Sequence, residues 1–253
     1  MSILSPKSMK AMFDSDGYIV IPSFLNPLQI DEVQRKMDEY VRDVVPHVPV
    51  KQVFYENKDR PETLKQLQDV WKHDPYFGRM FFSEQFVGLA ELLLGGPVQG
   101  ENLQWFNKPA RVGSPTPPHQ DGYYFMLDPN EAVTMWLALD DVDEENGCVR
   151  YLPGSHKRGI RAHSRTTTIG FSQGISDYGD EDHAAEVAMH AKPGDLLVHH
   201  CLTVHRANGN ISAARSRKAL GMVYFSRYAK EDLERKNEYH KKLTSELAVE
   251  GKL

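Results

Sequence analysis

The run PPHQDGYYF places His119 and Asp121 two residues apart. On an extended strand the side chains of residues i and i+2 leave the same face, so an imidazole and a carboxylate would be offered to one point. Alone this pairing carries little weight: with 11 histidines in 253 residues, a His-x-Asp pair arises by chance about once. A third donor in a matching setting changes that. His205 ends the apolar run GDLLVHHCLTVH, and Arg215 and Arg217 follow it ten and twelve residues later. Two histidines and one carboxylate occupy one face of a metal ion and leave the opposite positions open, the donor set of non-heme Fe(II) oxygenases. A bidentate 2-oxo acid and dioxygen would fill those positions. The far carboxylate of such an acid calls for a guanidinium, whose planar fork binds carboxylates through two bonds. A zinc hydrolase would not need that arginine.

These residues need a frame, and the hydrophobic pattern supplies one. Residues 5–14 have the pattern of a short helix, and DGYIVIPSFL (16–25) that of a turn, a strand and a stop. From Leu28 to Val45, apolar residues recur at Ile30, Val33, Met37, Tyr40, Val41 and Val44, the spacing of an amphipathic helix. Residues 63–95 are expected to be further helix, closed by Gly95 and Gly96, so that residues 1–95 are mostly helical. After Pro97 the character changes. VQGENLQWFNK, TPPHQDGYYFML, EAVTMWLALDDV, GCVRYLPGS, AEVAMHA, GDLLVHHCLTVHRA and RKALGMVYFSR are short aromatic and β-branched runs separated by turn residues. Such spacing over 97–228 predicts a β sandwich or barrel. A charged helix over 230–248 is expected to cap it, the whole 1–253 forming a single domain. Within the strand containing His119, period two would send Tyr123 and Phe125 inward and Tyr124 away.

Composition narrows the class. Apolar residues make up 40% and charged residues 26%, an ordinary globular balance. Thirty Lys and Arg against 35 Asp and Glu give a net charge of −5, which supplies no positive field for nucleic acid or an anionic membrane. The N-terminus lacks the apolar core of a secretory signal, and no run of about 18 apolar residues occurs. Cys148 and Cys201 lack any CxxC spacing and are too few for a disulfide framework, which points to a reducing cytoplasm. No repeat of about 20–50 residues is present. The expected partner is a small-molecule substrate, and the sequence does not settle the oligomeric state.

The sequence resembles the phytanoyl-CoA dioxygenase family of Fe(II)/2-oxoglutarate-dependent oxygenases. FDSDGYIVIPSFL, LQWFNKP, PPHQDGYYF, VTMWLALDDVDEENGCVRYLPGSH and KPGDLLVHHCLTVHRANGNIS carry the resemblance in family order. It implies a mainly β fold with flanking helices, whose core is a double-stranded β-helix, the cupin-like jelly roll. It implies Fe(II), 2-oxoglutarate and O2 as cofactor and co-substrates, and hydroxylation of an aliphatic C–H with release of succinate and CO2. Carried over position by position, it makes His119, Asp121 and His205 the catalytic iron ligands and Arg217, in Arg-Lys-Ala, the partner of the 2-oxoglutarate distal carboxylate. Gln120, Asn107 and Trp136 would line the co-substrate pocket. Asp121 stands where halogenating relatives carry a small residue, which favours hydroxylation. The family commonly has serine two residues after the third ligand. Ala207 stands there, so that contact is missing or is supplied by Ser212 or Asn210.

Other features have plainer readings. His199 and His200 are adjacent on a strand and face opposite ways, so at most one faces the site, with His200 the candidate for a supporting role. Cys201 is a small buried hydrophobe. The acidic run from Asp140 to Glu145 lacks the EF-hand order and is expected to be a solvated loop. Segments 42–62 and 160–186 are the lid candidates, with Lys51, Arg161, His163 and Arg165 available to an anionic group. Two competing functions remain. Ala207 is the support for a non-catalytic cupin-like metal-binding protein. Epimerisation, cyclisation or desaturation on the same iron is the alternative within the family.

Overall fold

A computed structural model describes residues 5–168, 171–238 and 241 of the chain. Its helices are α1 (Pro6–Asp16), α2 (Pro27–Glu39), α3 (Val70–His73), α4 (Pro75–Phe81), α5 (Glu84–Leu94), α6 (Asp121–Phe125) and α7 (Asp180–Ala185). Its strands run β1 (Tyr18–Ile21), β2 (Val53–Tyr55), β3 (Leu64–Leu67), β4 (Val98–Lys108), β5 (Thr116–His119), β6 (Leu127–Asp128), β7 (Ala132–Ala138) and β8 (Val149–Tyr151). They continue with β9 (His163–Thr168), β10 (Phe171–Ile175), β11 (Val187–Met189), β12 (Leu196–His200), β13 (His205–Ala207), β14 (Arg217–Ser226) and β15 (Lys230–Glu231). Among the described residues, no helix is long and apolar enough to cross a membrane.

Two antiparallel sheets carry the fold. The larger has the order β1-β12-β7-β14-β4-β3-β2 and the smaller β11-β8-β13-β5, with β9–β10 and β6–β15 as separate pairs. Strand order so far from chain order means long crossovers between sheets, as in the jelly roll that the family resemblance implies. The larger sheet is covered on both faces, so β7 (AVTMWLA) is buried throughout instead of alternating apolar with polar. From β7, β12 and β14, Val133, Met135, Leu137, Leu196, Val198, Leu220, Met222 and Tyr224 join Phe13, Val33, Met37, Phe77, Phe81 and Leu93 of the helices in one core. The alternate residues, Trp136, Ala138, Leu197 and Ala219, belong to a second core with Val149 and Tyr151 of the smaller sheet. Strand period two therefore separates a packing face from an interior face.

Local signals explain the helix ends. Ser5 accepts from the Ser8 N–H ahead of Pro6, and Asn26 and Gln29 form a reciprocal capping box ahead of Pro27. Gly17 and Gly95 end α1 and α5 in the left-handed conformation. The helix expected from Leu28 to Val45 holds as α2, followed by a π turn over Tyr40–Val44, before Pro46, which has no N–H to donate. Two expectations are corrected. Within 63–95, Leu64–Leu67 is a strand, pairing Gln66 with Phe106 and Leu67 with Trp105; tertiary pairing overrides the helix preference of Leu-Lys-Gln-Leu. With β1, β2 and β3 all in the larger sheet, the first 95 residues are not a separate helical layer. At the other end, Lys230–Glu231 pairs with β6 and helical backbone covers 233–238; most of the rest of the expected 230–248 helix lies outside the described residues.

Phe81 anchors the helical layer. It is fully buried, its ring centroid lies 4.9 Å from that of Tyr224, and its carbonyl accepts the Tyr224 hydroxyl at 2.7 Å. Phe81→Ala is expected to cost about 3–5 kcal/mol in urea unfolding, the range for an unrelaxed aromatic cavity. A loss under about 1 kcal/mol would mean the helices do not lock the sheet.

Candidate metal centre and adjoining cavity

His119 and His205 are cross-strand partners in the β5–β13 register, so pairing alone brings their rings together, with centroids 4.1 Å apart. Each ring is oriented from behind. The Nδ1–H of His119 donates to the Pro117 carbonyl at 2.9 Å, and that of His205 to the Thr203 carbonyl at 3.0 Å. Donation at Nδ1 leaves Nε2 with its lone pair directed inward, the tautomer that binds metals. Asp121 does not continue the strand. Gln120 is still extended, and Asp121 opens the short helix α6. Its Oδ1 lies 3.4 Å from His119 Nε2 and 3.6 Å from His205 Nε2. The donor atoms of the three residues lie within 4.8 Å of one another, and this is the one such group among the described residues. Two imidazole nitrogens and a carboxylate oxygen suit a divalent transition metal.

Electrostatics favours the binding-ready protonation states. Burial pushes the Asp121 carboxyl up, but His205, His119 and His199 outweigh it and hold the group well below the usual carboxylate range. Burial, reinforced by His119 and His199, holds His205 well below the usual imidazole range. Asp121 Oδ2 is held separately, by the Thr134 hydroxyl at 2.6 Å and by His199 Nε2 at 3.1 Å.

A cavity of about 270 Å³ opens beside these residues and is lined by Trp136, Asn107 and Arg217 as well as the triad. Arg217 is 4% exposed, its guanidinium lies 5.2 Å from the Trp136 ring centroid, and its Nε has no hydrogen-bond partner. Burial pulls its pKa down to about 10. A buried cation that faces a cavity with an unsatisfied donor is costly unless an anion completes it. Arg215 is differently placed: half-buried and outside the cavity, it is held by Asp143 and Glu145. Asn107 donates to the Leu64 carbonyl at 2.9 Å and leaves its Oδ1 without a partner.

Several expected placements do not hold. Gln120 does not line the cavity: its amide donates to Gly159 and Leu202 and accepts from the Arg161 N–H, pinning two loops together. As the residue next to His119 it leaves the backbone on the opposite side, and the strand itself ends at His119. For the same reason the period-two reading of 121–125 fails for Tyr123 and Tyr124, although Phe125 faces inward as expected. Tyr124 and Phe125 line the cavity, whereas Tyr123 stacks on His163 with centroids 4.2 Å apart. Of the adjacent histidines, His199 faces the site and His200 the outer side, near Glu131 and Phe13. Neither Ser212 nor Asn210 replaces the absent serine. Asn210 ties the end of β4 to its own loop by donating to the Lys108 and Arg215 carbonyls, and Thr116, opposite Ala207 in the register, lines the cavity instead. Arg161 is occupied by Asp177 and Asp182, and the acidic run is a loop in which Asp143 caps its own turn.

Sequence reasoning missed two cavity lysines. Lys108 is buried, and burial together with Arg217 and Lys65 holds it well below its usual pKa; its Nζ donates to the Ser114 carbonyl. Lys65 pairs with Glu56 at 3.3 Å. The signal was available for Lys108, which falls on the same side of β4 as Gln104 and Phe106 by period two.

Comparisons with known proteins agree with this geometry. The family model for phytanoyl-CoA dioxygenase (PhyH) matches residues 13–219. A phytanoyl-CoA dioxygenase of Arabidopsis thaliana is 27% identical over 247 residues, covering 83% of this chain and 85% of its own. The epimerase SnoN, solved with Fe3+, alpha ketoglutarate and nogalamycin RO, superposes with a TM-score of 0.70 at 24% identity, over 89% of this chain and 85% of that one. EctD of S. alaskensis, solved with 2-oxoglutarate and 5-hydroxyectoine, gives 0.72 at 21% identity, over 89% and 77%.

Proposed function

The chain belongs to the phytanoyl-CoA dioxygenase family, and from that premise we propose that it is an Fe(II)- and 2-oxoglutarate-dependent oxygenase that hydroxylates an aliphatic C–H of a small molecule. His119 Nε2, His205 Nε2 and Asp121 Oδ1 would hold the iron. Bound there, iron and 2-oxoglutarate supply the oxidation: substrate C–H, O2 and 2-oxoglutarate become C–OH, succinate and CO2. The single observation that carries the reading is Arg217, a buried guanidinium with an unsatisfied Nε in the same cavity as the triad.

The protein's own part is to bind, orient and keep water out. Arg217 takes the distal carboxylate through charge-assisted bonds, with its guanidinium carbon over the Trp136 ring. Lys108 adds a nitrogen donor to that end of the cavity, and Thr116 a side chain that can hydrogen-bond where Ala207 offers none. Tyr124, whose ring centroid lies 6.1 Å from that of His119, and Phe125 line the cavity and would bound the space open to a substrate. The Tyr124 hydroxyl also donates to the Gln173 carbonyl at 2.6 Å, tying this wall to the β9–β10 hairpin within the expected 160–186 lid. One domain spans residues 1–253 in this reading, since strands from both ends of the chain complete the larger sheet. Cys148 and Cys201, both buried and free, fit a reducing cytoplasm.

The test is turnover of the iron-loaded protein with 2-oxoglutarate and a panel of small molecules, following succinate and product mass together. Hydroxylation predicts one succinate per product and a product heavier by one oxygen atom. A product of unchanged mass would replace hydroxylation by epimerisation, the reading that the likeness to SnoN favours. Bound 2-oxoglutarate with no succinate under any condition would favour the non-catalytic metal-binding protein.

A further inference from the structure

Three buried groups lie in line behind the metal centre. Asp121 Oδ2 faces His199 Nε2 at 3.1 Å, and His199 Nδ1 faces the Tyr151 hydroxyl at 2.9 Å. All come from different elements: α6, β12 and β8. His199 and Tyr151 are 3% and 0% exposed, and the Tyr151 ring stacks on Tyr18 with centroids 4.7 Å apart. Hydrogen-bond bookkeeping fixes the direction of the chain. A carboxylate only accepts, so His199 must donate from Nε2; its Nδ1 is then the acceptor, and Tyr151 must donate.

A carboxylate can turn about its Cβ–Cγ bond and offer a metal either oxygen or both. Here Oδ1 points between His119 and His205, while Oδ2 accepts two bonds, from Thr134 and His199. We propose that His199 is a positioning residue for Asp121, oriented in turn by Tyr151, and that the relay holds Oδ2 so that Asp121 offers the metal Oδ1 alone. It rests on the metal-binding reading above. A histidine that merely filled space would need neither of its ring nitrogens satisfied in this order, and phenylalanine would serve as well. A single-oxygen carboxylate leaves the positions opposite the triad free, which chelation of a 2-oxo acid requires.

The relay is tested by Mn(II) binding to the full chain, measured by electron paramagnetic resonance with no turnover involved. Variants are His199→Phe, which keeps a ring of similar size, His199→Gln, whose amide N–H can replace Nε2–H, and Tyr151→Phe. His199→Phe is expected to weaken Mn(II) binding about 10–100-fold, as loss of partners behind metal ligands does. His199→Gln is expected to recover most of that loss, and Tyr151→Phe to show a smaller loss in the same direction. Wild-type affinity in His199→Phe would overturn the relay, as would His199→Gln binding no better than His199→Phe. Should His199→Phe fail to fold, the other two variants decide it. Weakened binding in Tyr151→Phe with near-normal binding in His199→Gln supports the relay, and wild-type binding in Tyr151→Phe overturns it. If the wild-type protein itself bound no Mn(II), the metal reading would fall first, and the relay with it.

Discussion

Asp121→Ala, His119→Ala and His205→Ala are each expected to abolish detectable turnover and to weaken Fe(II) binding by well over 100-fold, beyond the 10–100-fold that loss of an outer partner costs. The three donor atoms converge within 4.8 Å, so none can be replaced by a neighbour without moving backbone. His199 is the nearest spare imidazole, but both of its ring nitrogens are engaged by Asp121 and Tyr151. The measurement is anaerobic metal titration by calorimetry. Apo-protein melting temperatures should show that the variants fold. A variant that retained wild-type iron affinity would remove its residue from the ligand set. The effect should be largest for Asp121→Ala, which also removes the negative charge that opposes the metal and leaves Thr134 and His199 without their acceptor.

Arg217→Met should leave metal binding intact and weaken 2-oxoglutarate binding about 100-fold or more. That factor corresponds to about 3 kcal/mol of charge-assisted hydrogen bonding. Methionine keeps an apolar stem against Trp136 while the charge and all donors go. The stability of the apo-protein supplies a second readout. Because burial lowers the Arg217 pKa to about 10, below its unfolded value, the charged form is disfavoured in the folded chain. That cost is fully present below pH 10 and is relieved as pH rises from the folded pKa toward the unfolded one. Arg217→Met apo-protein should therefore melt no lower than wild type at neutral pH, while added 2-oxoglutarate should raise the melting temperature of wild type only. Arg215→Ala, which loses bridges to Asp143 and Glu145 at the surface, should change 2-oxoglutarate affinity less than about twofold. The reverse pattern would move the co-substrate contact to Arg215.

What the sequence revealed divides along a physical line. Period two in β7, β12 and β14 sorts residues into two faces, so a sandwich or barrel was legible in the pattern, whereas the jelly roll was implied by the family resemblance and the meeting of His119 with His205 rests on a cross-strand register between segments distant in sequence. The failures share a cause: a strand ends where period reasoning carries it on. Past His119 the chain turns into α6, which redirects Asp121, turns Tyr123 onto His163 and brings Tyr124 to the cavity. Gln120, assigned to the cavity by the family resemblance and not by period, is turned into the loops at this join. Leu64–Leu67 failed the other way, because its strand identity comes from β4, about forty residues later, and not from its own composition. His199 and His200 were recognised as facing opposite ways, but which faced the metal depended on the register with β1 and β7, fixed by residues distant in sequence. Lys65 and Lys108 were overlooked because charged residues are rarely buried unless a site needs them.

The most direct test of the account is an anaerobic optical titration of metal-free wild-type protein, first with Fe(II) and then with 2-oxoglutarate. If His119, Asp121 and His205 hold iron by one face and Arg217 anchors the acid, a weak visible charge-transfer band should grow on adding 2-oxoglutarate and saturate at one equivalent. The same band should require about 100-fold more 2-oxoglutarate in Arg217→Met. Tight iron binding with no band at any 2-oxoglutarate concentration would contradict the oxygenase assignment and leave a metal-binding protein that does not use the co-substrate.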